Sequence, residues 1–193
     1  MIGRQGQAAV AAGHPRATDT AVALLRAGGS AVDAAIGADA VMGVVEPTGT
    51  GVGGDLMAVV ATREGVSVLN GSGRSGQRTD PESVPDNGHG FVPSVGGCAV
   101  TVPGAVAGWE DLHRQFGRLP WPSLFEPAIE AAAEGVEVGA TGSWLWEDSR
   151  GRLDAPGAAL YFPAGTAPAP GERWCNPALA AVLKQIAADG PDA

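Results

Sequence analysis

Basic residues are scarce in this sequence, and they never form a run. The 12 Lys and Arg are outnumbered by 21 Asp and Glu, which gives the 193 residues a net charge of −9. Proteins that bind a phosphate backbone need clustered positive charge, because contacts to phosphate supply most of the affinity. The composition therefore excludes nucleic acid as a main partner.

Cysteine and histidine are also scarce, and they are widely spaced. The two cysteines, Cys98 and Cys175, form no C-x-x-C pair, and neither has a histidine at ligand spacing. Zinc sites and redox dithiols need such close pairs. We therefore predict two buried free thiols, no metal site and no cofactor.

Long apolar runs are missing as well. No stretch of the sequence approaches the roughly 20 apolar residues that a membrane-spanning helix needs. No apolar segment of signal-peptide length follows Arg4 near the start of the sequence. From these two features we expect no membrane partner and a cytoplasmic location.

The common signatures of one-chain enzymes are absent, apart from one formal match. The sequence has no Gly-x-Ser-x-Gly elbow, no Walker loop and no helical histidine pair. Residues 49–54 match the dinucleotide fingerprint Gly-x-Gly-x-x-Gly, which requires a strand before the glycines and a helix after them. Here the predicted order is reversed: a helix comes before the glycines and a strand comes after them. We interpret these glycines as a tight connection in which backbone packs against backbone.

Glycine and proline are the residues present in excess. The 30 Gly and 15 Pro are about double the usual share, which predicts short elements joined by many turns. Hydrophobic residues make up an ordinary 45% of the sequence. Residues 1–193 therefore suit one domain or one portion of a larger one.

Local patterns predict an α+β chain rather than an alternating βαβ chain. Capping boxes pair Ser30 with Asp33 and Ser123 with Glu126, and apolar stripes at three- and four-residue spacing mark further helices. A three-residue turn joins two β-rich runs into a hairpin, which we expect to be buried beneath the second helix. The predicted helices span residues 18–26, 30–45, 103–116, 123–135 and 141–149 and begin again at 177; the predicted strands span 7–13, 55–62, 66–70 and 98–102, with a long loop over 71–97.

One charged side chain stands out after the second hairpin strand. In the segment Asn70-Gly71-Ser72-Gly73-Arg74, an arginine follows the strand end inside a glycine-rich loop. The planar guanidinium of Arg74 is suited to binding a carboxylate through two parallel hydrogen bonds. The alternative interpretation is an ordinary solvated surface arginine.

Seven segments, taken together and in order, resemble the gamma-glutamyltranspeptidase family. They cover nearly the whole chain: Gly13-His14-Pro15-Arg16-Ala17; Ala27-Gly28-Gly29-Ser30-Ala31-Val32-Asp33-Ala34-Ala35; Val44-Val45-Glu46-Pro47 with Gly51-Val52-Gly53-Gly54; Val102-Pro103-Gly104-Ala105-Val106-Ala107-Gly108; Gly117-Arg118-Leu119-Pro120-Trp121; Pro127-Ala128-Ile129 with Glu134-Gly135; and Pro177-Ala178-Leu179-Ala180.

The resemblance implies an N-terminal nucleophile hydrolase, a four-layer αββα sandwich of which this chain supplies only part. Such a precursor cleaves itself into a large and a small subunit, and the threonine exposed at the start of the small subunit is the nucleophile. The sequence resembles the N-terminal part of the large subunit. It therefore implies no catalytic residue in this chain, a small-subunit partner that carries the threonine, and a small-molecule amide substrate.

The resemblance also implies that Arg74 is the carboxylate-binding arginine of the family. That arginine usually lies in an Asp-Gly-Arg-Glu setting. Here, Arg74 lacks the acidic residue after it and has two extra residues before it, a form that resembles the acylase-like branch. The leading hypothesis is thus part of a gamma-glutamyltransferase, hydrolase or acylase. The alternative is a non-catalytic scaffold chain of the same fold; a partner that begins with threonine after processing would distinguish the enzyme from the scaffold.

Overall fold

The computed structural model describes residues 8–80, 82, 84, 90, 92–93 and 95–192, which form a mixed array of helices and short strands. Two two-stranded antiparallel sheets lie among the helices of this part of the chain. The α-helices are α1 (Pro15–Arg26), α2 (Ala31–Val45), α3 (Ala105–Phe116), α4 (Glu126–Glu134), α5 (Ala140–Asp148), α6 (Ala155–Tyr161) and α7 (Pro177–Asp189), and the strands are β1 (Leu56–Ala61), β2 (Val66–Gly71), β3 (Val136–Glu137) and β4 (Arg173–Trp174). No helix within the described ranges is both long and apolar enough to cross a membrane.

Helix α2 is the centre of the main core, and it is buried over most of its circumference. Its small side chains let neighbouring helices approach closely. A Cβ on Gly37, for example, would overlap the Leu24 side chain of α1. Helices α1, α3 and α4 pack around α2, and α7 packs on α4, so this core fixes the start of α3 relative to the loop that follows α2.

The predicted capping box at the start of α2 is confirmed. The backbone N–H of Ser30 donates to Asp33 Oδ2 at 2.7 Å, and the N–H of Asp33 donates to Ser30 Oγ at 3.1 Å. The same carboxylate, which is fully buried, also accepts from the N–H groups of Arg118 at 2.9 Å and Leu119 at 3.3 Å. Asp33 therefore joins α2 to the chain that leaves α3, 85 residues further on.

We expect Asp33→Ala to lower the free energy of unfolding by about 3 kcal/mol, because it leaves several buried backbone donors without an acceptor. Chemical denaturation of the two proteins measures this difference. Asp19 is an exposed residue of α1, so Asp19→Ala should change stability by less than about 0.5 kcal/mol. Equal effects of the two substitutions would contradict this role of Asp33.

The predicted hairpin is confirmed, with Leu56 opposite Gly71 and Ala61 opposite Val66. The expectation that it is buried beneath α2 was wrong. One face packs on α3, where the absence of a side chain at Gly108 admits Leu56 and Leu69; a Cβ there would lie 2.8 Å from Leu56 Cδ2. The other face is exposed, and its large apolar side chains are Met57, Val59, Val66 and Val68.

Two predicted strands are absent from the structure. Residues 8–13 form no strand, and residue 7 lies outside the described residues. The strand predicted over 98–102 is also wrong: Gly97–Ala99 form a 3-10 turn, and Thr101 bonds to the loop after β2 instead of pairing in a sheet. Part of the predicted 71–97 loop, including His89, lies outside the described residues.

Other boundaries and environments also differ from prediction. Ser123 does not cap α4: it lies in the 3-10 turn Trp121–Leu124, its Oγ donates to Pro120 O at 2.6 Å, and the helix begins at Glu126. Both cysteines, Cys98 and Cys175, are exposed rather than buried. Cys98 lies in the 3-10 turn Gly97–Ala99, and Cys175 directly follows the end of β4. Both thiols are therefore at the surface.

The C-terminal segment forms a second, smaller core of aromatic residues. Helix α5 confirms the helix predicted over 141–149, and α6 lies in the Pro- and Gly-rich segment after it. The rings of Trp146 and Trp174 meet edge to face with centroids 4.9 Å apart, and Tyr161 stacks on Trp174 at 5.6 Å. Such contacts hold α5 and α6 to the β3–β4 pair.

Candidate functional site

Arg74 lies in a cleft between the loop that follows β2 and the start of α3. The cleft has a volume of about 750 Å³ and is lined by residues of the segments 69–77 and 102–111. Arg74 is exposed, so its guanidinium is accessible to a ligand. Arg74 thus lines an open cleft, and its role in binding a carboxylate stays a prediction.

The backbone around Arg74 is fixed by three hydrogen bonds. The Thr101 hydroxyl donates to Ser72 O at 2.9 Å, and the N–H of Val102 donates to Arg74 O at 2.9 Å. The N–H of Ser72 donates to Asn70 Oδ1 at 3.0 Å. The loop after β2 is therefore held against the segment before α3. This fixes the position of the Arg74 backbone, from which its side chain extends.

Two glycines make this close approach possible. Gly73 has a φ of +79°, in the left-handed region, and a Cβ there would overlap the Val102 carbonyl oxygen. A Cβ on Gly104 would overlap the Gly71 carbonyl oxygen. Glycine is required at both positions because backbone lies against backbone.

The charge of Arg74 is not neutralised by the protein within the described residues. The acidic residue of the cleft lining is Asp111, which is paired with Arg114 of its own helix, with Arg114 Nη2 2.6 Å from Asp111 Oδ1. No salt bridge to Arg74 occurs in the part of the chain that the structure describes. An unpaired guanidinium in a cleft is suited to binding an anionic group.

The glycine-rich connection between α2 and β1 borders a second cavity, of about 400 Å³. A strand, and not a helix, follows these glycines, as predicted, so they lack the helix N-terminus that a dinucleotide pyrophosphate needs. The carbonyl oxygen of Gly54 instead accepts from the N–H groups of Gly104 at 3.0 Å and Ala105 at 3.1 Å. The glycine connection is thereby joined to the start of α3, beside the Arg74 cleft.

Sequence analysis missed one polar cluster beneath this connection. Asp39 of α2 accepts a hydrogen bond from Trp109 Nε1 of α3 at 2.9 Å and another from the Thr50 side chain. Burial raises the pKa of the Asp39 carboxyl, and the bonds from Trp109 and Thr50 lower it by a smaller amount. The partners lie far apart in the sequence, so no local motif indicated the cluster.

The metal-binding and basic side chains of the described residues form no metal cluster, and two of the histidines have structural partners. Within the described residues, no group of three or more His, Cys, Asp and Glu side chains could hold a metal ion. His14 caps α1 through its Nδ1, which accepts from the N–H of Arg16, and His113 Nε2 donates to Leu119 O at 2.8 Å. Both of these histidines thus have structural partners.

Comparison with known proteins identifies the family. The family described as Gamma-glutamyltranspeptidase matches residues 17–193. The chain belongs to the gamma-glutamyltranspeptidase family. The resemblance drawn from the seven segments is confirmed.

Three similar proteins illustrate the family relationship. The chain is 34% identical over 190 residues to Glutathione hydrolase 2 of Arabidopsis thaliana, a match covering 96% of this chain and 32% of the relative. It is 36% identical over 188 residues to an Oxamate amidohydrolase proenzyme of Klebsiella pneumoniae, a match covering 93% of this chain and 35% of the relative. The solved gamma-glutamyltranspeptidase of Pseudomonas nitroreducens, complexed with L-DON, superposes with a TM-score of 0.85 at 29% identity, covering 96% of this chain and 56% of that one.

These comparisons confirm the predicted fold class, an α+β chain with the N-terminal nucleophile hydrolase fold of gamma-glutamyltranspeptidases. The chain spans about a third of the length of the curated relatives it matches. The described residues accordingly supply helices and a hairpin of that fold rather than four complete layers.

Proposed function

We propose that this chain is part of an enzyme that hydrolyses or transfers the acyl group of a small amide, and that Arg74 binds a carboxylate of that acyl group. The observation that carries the proposal is the position of Arg74 in the cleft. Its backbone is fixed by the Val102 bond, while its charge has no acidic partner among the described side chains. Membership of the gamma-glutamyltranspeptidase family supports the reaction class.

The substrate class follows from the chemistry of the guanidinium. A planar fork of N–H donors binds a carboxylate through two parallel bonds, and this fixes the orientation of the group as well as its position. Two relatives are named for amides that carry a carboxylate, glutathione and oxamate. We propose a gamma-glutamyl amide or a similar carboxylate-bearing acyl amide as the substrate.

In the proposed reaction, another chain segment supplies an N-terminal threonine. Its free amine takes the proton of the threonine hydroxyl, the oxygen attacks the amide carbon, and the amide C–N bond breaks as the leaving amine takes up a proton. Water or an amino acid then attacks the acyl ester and releases the threonine. The contribution of this chain is to hold the acyl carboxylate, so that the carbonyl carbon lies within reach of the threonine oxygen.

Two observations support a partner segment. Relatives such as the Klebsiella pneumoniae protein are named proenzymes, which fits processing into subunits. The outer face of the β1–β2 hairpin is apolar and exposed, with Val59 and Val68 71% and 75% accessible. Exposed apolar patches of this kind mark surfaces that bind another protein element.

The test is Arg74→Lys in the assembled enzyme. We expect kcat/KM for a carboxylate-bearing amide to fall by about tenfold to a hundredfold, because an ammonium group cannot form the bidentate pair. The same amide with its carboxylate esterified should show no such difference between the two proteins. Arg78 is exposed in the same loop and does not line the cleft, so Arg78→Lys is the matched control.

If Arg74→Lys leaves the kinetics unchanged, Arg74 is an ordinary solvated surface arginine, and the proposal loses its main support. The scaffold alternative predicts a different result: a complex with a catalytic partner whose activity does not respond to Arg74→Ala. Purifying the complex and determining the N-terminal residue of the partner distinguishes the enzyme from the scaffold.

A further inference from the structure

Asp39 connects three separate parts of the chain. It lies on α2, one of its oxygens accepts from Trp109 Nε1 of α3 at 2.9 Å, and it also accepts from the side chain of Thr50 in the glycine connection. These partners are 70 and 11 residues away in the sequence. One half-buried carboxylate thus fixes a loop and a helix relative to the central helix of the core.

The segments that Asp39 holds together are connected to Arg74 through the following backbone contacts. The glycine connection ends at Gly54, whose carbonyl oxygen accepts from Gly104 and Ala105 at the start of α3. Gly104 lies directly against Gly71. Two residues before Gly104, the Val102 N–H donates to the carbonyl oxygen of Arg74. The series consists of hydrogen bonds and one backbone contact, joined by the short chain stretches 50–54 and 102–104.

Placing an ionisable group at this position has a cost. Burial raises the pKa of Asp39, which means that the local environment disfavours the charged form. A neutral residue of the same shape would avoid that cost. The hydrogen bonds from Trp109 and Thr50 offset part of this cost, so the position is suited to a side chain that accepts both.

We propose that Asp39 is a positioning residue for Arg74: its bonds to Trp109 and Thr50 set the start of α3, and thereby the loop from which Arg74 reaches the substrate carboxylate. The inference rests on the proposed function of Arg74 for its effect on catalysis, but its structural part does not. Asp39 touches neither substrate nor nucleophile in this scheme.

The kinetic test compares three variants in the assembled enzyme. Asp39→Ala should raise KM for a carboxylate-bearing amide about tenfold and change kcat less than about twofold, because ground-state binding is lost. Asp39→Asn should retain wild-type KM, because its amide oxygen can accept from Trp109 and its amide N–H can donate to the Thr50 oxygen. Thr50→Val removes one donor only and should raise KM by a smaller factor.

A control separates positioning from loss of stability. Ile186 is buried in α7 and is not a hydrogen-bond partner of Asp39, and Ile186→Val should lower the melting temperature while leaving KM unchanged. If Ile186→Val raises KM as Asp39→Ala does, the effect is general destabilisation, and the proposal is overturned. Circular dichroism shows whether Asp39→Ala folds; if it does not, Thr50→Val provides the comparison.

Hydrogen exchange tests the structural link without any substrate. The Val102 amide, which donates to Arg74, should exchange about tenfold faster in Asp39→Ala than in the wild type, as expected when a hydrogen bond in a local unit is weakened. The Leu183 amide in α7 should exchange at the wild-type rate. An unchanged Val102 rate in a folded Asp39→Ala protein would overturn the proposal.

The two proposals fail in different ways. If Arg74→Lys leaves the kinetics unchanged, the proposed function fails, and the Val102 exchange rate still decides whether Asp39 positions the loop. If Arg74→Lys raises KM and Asp39→Ala does not, the proposed function stands and the role of Asp39 is wrong.

Discussion

Gly73→Ala is expected to lower kcat/KM for a carboxylate-bearing amide by about a hundredfold. Gly73 has a φ of +79°, and a Cβ there would overlap the Val102 carbonyl oxygen. A side chain there adds a left-handed backbone penalty of about 1–2 kcal/mol and an overpacking cost of about 1–3 kcal/mol. The loop can avoid these costs only by breaking the Val102–Arg74 bond, which moves the guanidinium away from its site. Steady-state kinetics of the assembled variant measures the loss.

The matched control for Gly73→Ala is Gly97→Ala. Gly97 has no left-handed φ, and a Cβ there would meet no other atom within 4 Å, so its substitution should leave kcat/KM within about twofold of the wild type. A folded Gly73→Ala enzyme with wild-type kinetics would show that the geometry of this loop does not control substrate binding.

Elements with local signals could be predicted from the sequence. The capping box of Ser30 and Asp33 involves residues three apart, and the hairpin turn lies within three residues, so each is encoded in one short segment. The failures occur where distant partners decide. Thr101 bonds to Ser72, 29 residues away, and this contact replaces the strand that its β-rich neighbours predicted.

Packing also overrides a local signal at Ser123. The pattern of Ser123 and Glu126 predicts a helix start, but the indole of Trp121 donates to Ile186 O of α7 at 2.9 Å, and its ring packs on Phe125. These contacts hold Trp121–Leu124 in a 3-10 turn, and α4 begins only at Glu126. A capping preference of about 1 kcal/mol does not outweigh the packing of the partly buried Trp121 ring on the buried Phe125 ring.

The candidate site divides in the same way. Arg74 could be found from sequence because the strand end, the glycines and the charge are adjacent. Asp39 could not be found, because its hydrogen bonds join α2 to α3 and to the glycine connection only after folding. Its position in the helix, among small apolar residues, carries no local signal of these partners.

A polypeptide of residues 1–193 alone is expected to show no turnover of a gamma-glutamyl anilide above background. Enzymes accelerate such reactions by roughly a millionfold or more, and an amide of ordinary reactivity needs an activated nucleophile. Thr48, Thr50 and Thr101 have their amines locked in peptide bonds, and His14 and His113 have structural partners.

The same polypeptide should self-associate in sedimentation experiments, because the outer hairpin face exposes Met57, Val59, Val66 and Val68 by 65–75%.

Adding a chain that begins with the catalytic threonine should produce both a defined complex and turnover. The sharpest control is the same partner with that threonine replaced by alanine: it should still cover the hairpin face and suppress self-association, since the fold does not need the hydroxyl, yet give no turnover. A stable monomer of residues 1–193 that hydrolyses the anilide by itself, with a rate unaffected by the partner, would contradict the proposed division of labour. In that case the nucleophile would have to be sought within this chain.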